Sequence, residues 1–124
     1  MTYQYNCLLL KWIDGDTCKV TVDMGFRISY TDSVRIWGIN APELRSPLPP
    51  VAEAAKKALA YARKIAPEGE KYRIRSYKSG EEKYGRWLAS IKLKGGKDFG
   101  EEMIAAGHAI SYLPKTPGDI MEDM

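Results

Sequence analysis

From Tyr3 to Pro42 apolar and polar residues alternate largely with the period of a β-strand, and the pattern turns helical only after a proline-rich break. Tyr3 to Ile13 is a long apolar and aromatic run, which predicts a first strand with a buried middle. Asp14-Gly15-Asp16-Thr17 predicts a turn, with Gly15 supplying a positive φ and the aspartates bonding their own backbone. Cys18, Val20, Val22 and Met24 alternate with Lys19, Thr21 and Asp23 as a half-buried second strand. Met24-Gly25 reverses the chain. Phe26, Ile28 and Tyr30 alternate again until Thr31-Asp32-Ser33 interrupts with turn chemistry, read as a bulge. Val34 resumes the strand: Val34, Ile36 and Gly38 alternate against Arg35, Trp37 and Ile39. Pro42, which has no N–H for a ladder, ends it and leaves Glu43 beside the strand end.

Leu44 to Pro50 holds Pro47, Pro49 and Pro50 and is irregular. Val51 to Ile65 is the clearest helix: Val51, Ala54, Ala55, Ala58, Leu59, Ala62 and Ile65 make one apolar stripe, and Pro67 with Gly69 closes it. The alanines of that stripe imply close approach to whatever the helix covers. Lys71 to Lys78 alternates Tyr72, Ile74 and Ser76 against Arg73, Arg75 and Tyr77, giving a strand with one basic face; Ser79 to Gly85 is a polar excursion. Trp87, Ala89, Ile91 and Leu93 form the answering strand. Asp98 with Glu101 is a capping box, Phe99, Met103 and Ile104 give a short helical stripe, and Gly107 stops it. His108 to Leu113 is a last extended piece. Five short strands, with a long helix between the third and fourth and a short one after the fifth, predict a mainly β fold with helices (α+β), an antiparallel OB-type barrel. Residues 1 to 113 make one domain, and 114 to 124 a loose acidic tail.

Apolar residues at 44% and charged residues at 28% suit a globular chain that is not disordered. No apolar run approaches the length of a membrane span, and MTYQYNCLLLKW has no basic leader, so a cytoplasmic home is expected; a removed leader would make it secreted. Cys7 and Cys18 are expected to be reduced and packed, because a hairpin tip at Gly15-Asp16 sets Cys18 opposite residue 13 and not Cys7. The formal charge of +3 is modest, but Asp119, Glu122 and Asp123 crowd an end without Lys or Arg, so the body is more basic than the total. That tilts the expectation toward a polyanionic partner. A monomer with no obligate protein partner is expected.

The single histidine, His108, excludes paired-histidine catalysis, HExxH zinc sites and Cys/His metal clusters, and it follows a helix-ending glycine where packing or capping is its role. No strand-turn-helix serine elbow is present. Carboxylates and arginines remain, which is equipment for hard-cation, phosphate-directed chemistry.

The order DGDT (Asp14 to Thr17), VRIWGINAPE (Val34 to Glu43), the alanine-rich helix, EKYGRWLA (from Glu82) and DFGEEMIAAGHA (from Asp98) resembles the staphylococcal nuclease family along residues 14 to 112. The resemblance implies an OB-fold barrel, a calcium ion, and hydrolysis of DNA and RNA that leaves 3′-phosphates. By the same resemblance, Asp16, Asn40 and the backbone carbonyl of Ala41 are the metal ligands, with Asp14 just behind Asp16. Arg35, Glu43 and Arg86 match the catalytic trio. Tyr84, Tyr112 and Lys83 fall on the substrate side. Asn40 departs from the family's usual aspartate, which implies a weaker metal site, and Glu82 replaces the usual aspartate ahead of KYGR.

Taken singly, each motif has a plainer reading: Asp14 and Asp16 as turn formers, Arg35 ion-paired to Glu43, Glu82-Lys83 as surface, Tyr84-Gly85 as a hairpin tip. Those readings do not account for the ordered set. A second function class is a catalytically silent OB-type module gripping single-stranded nucleic acid through Arg73, Arg75, Tyr77 and Tyr84. A third is a protein-contact adaptor using the exposed helix face.

Overall fold

The structure is a computed structural model and describes residues 2–81 and 87–112. The first strand, β1 (Thr2–Asp14), is long enough to serve two neighbours. Its first half pairs with β5 (Lys71–Glu81), from Thr2↔Tyr77 to Leu8↔Lys71, and its second half with β2 (Thr17–Asp23), from Cys7↔Val22 to Asp14↔Thr17. Register shifts between Leu9 and Lys11 and between Trp12 and Asp14 are bulges that bend β1 around the barrel. β2 pairs with β3 (Ser29–Ile36), and β5 with β6 (Trp87–Lys92).

The sheet closes in the order β1-β2-β3-β6-β5, a five-stranded barrel of OB type. The expected antiparallel order holds except at the closing pair, where Val34, Ile36 and their neighbour lie parallel to β6. An odd number of strands cannot alternate in direction all the way round, so one parallel pair is unavoidable. A two-residue strand β4 (Ile39–Asn40) follows β3, helix α1 (Pro49–Ile65) precedes β5, and α2 (Phe99–Ala105) and β7 (Ile110–Ser111) complete the described chain.

Several local expectations change. Thr31-Asp32-Ser33 does not interrupt β3: the β2–β3 ladder runs unshifted from Thr17↔Arg35 to Asp23↔Ser29. Thr31 bonds Thr21 across the ladder at 2.8 Å, and Asp32 accepts from the Tyr30 hydroxyl at 2.6 Å, so these polar groups find partners on the strand itself. Phe26 and Arg27 belong to the turn, both at positive φ (53° and 64°). Nor does the strand run on from Ile36 to Ile39, because Gly38 at φ 84° turns it there. β6 buries Leu88 as well as Ala89 and leaves Trp87 exposed, where its Nε1 donates to the Tyr30 hydroxyl at 3.1 Å.

Helix α1 starts two residues earlier than its pattern predicts, with Pro49 and Pro50 in its first turn, where a missing N–H costs nothing. It buries Ala55, Ala58 and Ala62, while Ala54 faces out. The Asp98 side chain caps α2 by accepting from Glu101 N–H at 3.0 Å, and Ile104 is partly exposed. Trp12 joins these layers: its ring stacks on Phe99 with centroids 4.4 Å apart, and its Nε1 donates to the Ala66 carbonyl at 2.9 Å.

Cys18 lies opposite Trp12 and Cys7 opposite Val22, and both thiols are free and buried. Burial pushes Cys7 up to about 11 and raises Cys18 well above its ordinary value, so both are neutral and inert near pH 7. Among the described residues no helix is long and apolar enough to cross a membrane. The expected tail from residue 114 lies outside the described residues.

Candidate active site at the barrel mouth

The pairing Asp14↔Thr17 makes Asp14 to Thr17 a tight turn closing one end of the barrel. Gly15 does not adopt the expected positive φ; its part is close approach. A Cβ there would lie 3.1 Å from Ala41 Cβ, 3.2 Å from Ala58 Cβ and 3.2 Å from Met103 Cε. The back of the turn is thus pressed against α1 and α2, which accounts for the small residues on α1. Asp16 points inward and is only 5% exposed. Its Oδ1 accepts from the Thr17 hydroxyl at 3.1 Å and its Oδ2 from the Ala41 N–H at 2.9 Å. A buried carboxylate of this kind is stable only when its oxygens are so engaged.

Arg35 sits across the ladder from Thr17, and its Nη1 lies 3.7 Å from Asp16 Oδ2. Its Nη2 donates to the Ile39 carbonyl at 3.0 Å and to Asn40 Oδ1 at 3.3 Å, while the Tyr112 ring centroid lies 5.6 Å from its Cζ. Tyr112 arrives through the small β4–β7 ladder, Ile39↔Ser111 and Asn40↔Ile110, with its own N–H bonded to the Gly38 carbonyl at 2.8 Å. The turn at Gly38 therefore folds β4 back so that Asn40 meets the guanidinium four to five residues upstream.

Asn40 is exposed, Ala41 buried and Glu43 exposed. Leu44 N–H donates to Asp14 Oδ1 at 3.4 Å, which moors the Glu43 segment beside the turn. Among the described residues the Glu43 carboxylate has no hydrogen-bond or ion-pair partner, and Arg35 pairs with Asp16, so the plainer Arg35–Glu43 pairing is not formed. Asp16, Arg35, Asn40, Ala41 and Tyr112 come together at one mouth, and the bond from Leu44 N–H to Asp14 brings the Glu43–Leu44 backbone beside it. Arg86, Tyr84 and Lys83 lie outside the described residues. His108 rests on Tyr61, ring centroids 4.8 Å apart, in a packing role.

Among the described residues there is no group of three or more His, Cys, Asp or Glu side chains that could hold a metal ion. The Asp16 and Asn40 side chains offer oxygens at the mouth, a chemistry suited to a hard cation and not to a soft one. Asp16 alone of the two is charged, and the Asn40 oxygen accepts from Arg35. Sequence reasoning passed over the Thr17 hydroxyl, the Ile39 carbonyl and the Leu44 N–H as parts of the site. Thr17 stands in the DGDT motif itself and had a signal; two backbone groups had none.

Comparison with protein families finds that the model of the staphylococcal nuclease homologue family matches residues 33–122. That span includes Arg35, Asn40, Ala41, Glu43, Arg86 and Tyr112 and begins after the Asp14–Thr17 turn. A comparison with curated proteins finds no match.

Proposed function

We propose that this chain, which belongs to the staphylococcal nuclease homologue family, is a calcium-dependent phosphodiesterase that cleaves DNA, RNA or both with weak sequence selectivity and leaves 3′-phosphates. The membership supports a function in a nuclease and OB-fold nucleic-acid-binding family. The observation that carries the finer reading is the setting of Arg35: a guanidinium held by Asp16, Ile39 and Asn40, with the backbone of an unpaired Glu43 beside the same mouth.

Calcium, when bound, neutralises part of the phosphate charge and acidifies a coordinated water; Asp16, Asn40 and the Ala41 carbonyl are the groups that would hold it, with Asp14 behind. The chain's own residues do the rest. A phosphodiester in this mouth gains charge on its equatorial oxygens during in-line attack, and a guanidinium answers that charge with two parallel donors. The bond to the Ile39 carbonyl and the Tyr112 ring beside the guanidinium support this assignment to Arg35. Arg86 is assigned the second such contact on the strength of the motif. Glu43, exposed and free of partners among the described residues, orients the attacking water. None of these groups reads a base edge, hence the weak selectivity. Tyr84, Tyr112 and Lys83 are assigned to the substrate strand.

End-labelled DNA and RNA incubated with calcium, magnesium or chelator test the reading. Calcium-dependent cutting with 3′-phosphate ends is expected, and intact substrate under every condition would overturn it.

A further inference from the structure

Away from the mouth the strands β2, β1, β5 and β6 run side by side, through Thr21↔Leu8, Leu8↔Lys71, Asn6↔Arg73 and Arg73↔Lys92. Over them, beside the β2–β3 turn, lies an open groove of about 760 Å³. Leu8, Ile28, Tyr72 and Leu93 give it an apolar floor. Five cations line it, Arg27, Lys71, Arg73, Lys92 and Lys94, against one carboxylate, Asp23.

Two of those cations are engaged, Lys94 with Glu70 at 2.7 Å and Arg73 with Asn6 at 3.2 Å. Arg27, Lys71 and Lys92 have no partner among the described residues. Beside the groove the turn carries Phe26, 97% exposed, on a backbone whose positive φ at Phe26 and Arg27 is unfavourable for both side chains. Burial does not account for an aromatic held in that way.

We infer that this groove is a second nucleic-acid site, which grips the backbone and bases of a single strand apart from the catalytic mouth. The ligand must present a row of anions to the cations and flat apolar groups to the floor and to Phe26. A single strand does both, whereas a duplex keeps its bases stacked inside and an acidic peptide has no flat apolar groups in register with its charges. The groove begins at Ser29, about 20 Å along β3 from Arg35 at roughly 3.3 Å per residue, so one strand of several nucleotides reaches from groove to mouth. The inference rests on the nucleic-acid half of the proposed function and not on cleavage.

Binding of a fluorescein-labelled twelve-nucleotide oligo-dT, followed by anisotropy in chelator across a salt series, tests it. Lys71→Ser/Lys92→Ser is expected to bind at least tenfold more weakly at low salt, with the slope of log K against log salt reduced by about 1.4, since each single-strand phosphate contact contributes about 0.7. Phe26→Ser is expected to weaken binding without changing the slope. The charge-matched Lys57→Ser/Lys64→Ser variant on the exposed face of α1 is expected to bind like wild type, and thermal melts verify that all variants are folded. Equal losses in both double variants, no loss in either, or equally good displacement of the oligonucleotide by oligo-glutamate would overturn the inference. A chain that binds through the groove yet cuts nothing would sink the nuclease reading alone. One that cuts while its groove variants bind like wild type would sink this one alone.

Discussion

The Ala41 backbone N–H donates to Asp16 Oδ2 at 2.9 Å across 25 positions of sequence, and this one bond ties the barrel-closing turn to the segment that carries Asn40 and Glu43. Both groups are buried, so neither has water to fall back on. Asp16→Ala would strand the Ala41 N–H, and a loss of about 1–3 kcal/mol in urea unfolding is expected from that orphan. Asp16→Asn keeps an acceptor and should lose less. Equal stability of Asp16→Ala and wild type would contradict the structural role.

Asn40 stands where a second carboxylate would double the formal charge of the candidate metal ligands. Asn40→Asp is expected to raise calcium affinity about tenfold or more, equivalent to about 1.4 kcal/mol, by titration calorimetry. The added carboxylate also competes for Arg35, so the gain should be larger in Arg35→Ala/Asn40→Asp than in Asn40→Asp alone. Unchanged affinity in both variants would exclude position 40 from the site.

Glu68 links α1's end to the barrel, accepting from Trp12 N–H at 2.7 Å and lying 3.4 Å from Arg63 Nε. The Trp12 hydrogen bond first, and then the Arg63 charge, hold its carboxyl below the ordinary value. The folded chain thus binds this proton less readily than the unfolded chain, so the contribution is present above the ordinary carboxylate range and is lost as pH falls through the lowered value. Wild type is expected to exceed Glu68→Gln in stability at pH 7, with the difference shrinking below about pH 4. A difference constant from pH 3 to pH 7 would contradict it.

The barrel, the interposed long helix and the capped short helix were all legible because each rests on a period or a local bond that neighbouring residues specify: Val20 and Val22 against Thr21, the alanine stripe of α1, Asp98 before Glu101. What escaped depended on distant partners. Gly15 reads as a turn glycine, yet its lack of a side chain serves contacts with Ala41, Ala58 and Met103, which only the folded chain supplies. Thr31-Asp32-Ser33 has turn composition but lies opposite Thr21 and Lys19 in an unbroken ladder, where cross-strand bonds override local preference. At the mouth, Asp16, Arg35 and Asn40 were named by motif order alone; that Arg35 faces Asp16 and leaves Glu43 unpaired follows from the reversal at Gly38 and the β4–β7 ladder, which no local pattern announced.

Arg35 is the residue on which the catalytic reading converges, and its removal tests that reading most directly. With saturating calcium, kcat on a labelled oligonucleotide is expected to fall by about 10²–10³ in Arg35→Ala and to recover only in part in Arg35→Lys, which supplies charge without the paired donors. Circular dichroism and urea unfolding establish that each variant is folded. Wild-type turnover in folded Arg35→Ala would contradict a catalytic mouth built around that guanidinium.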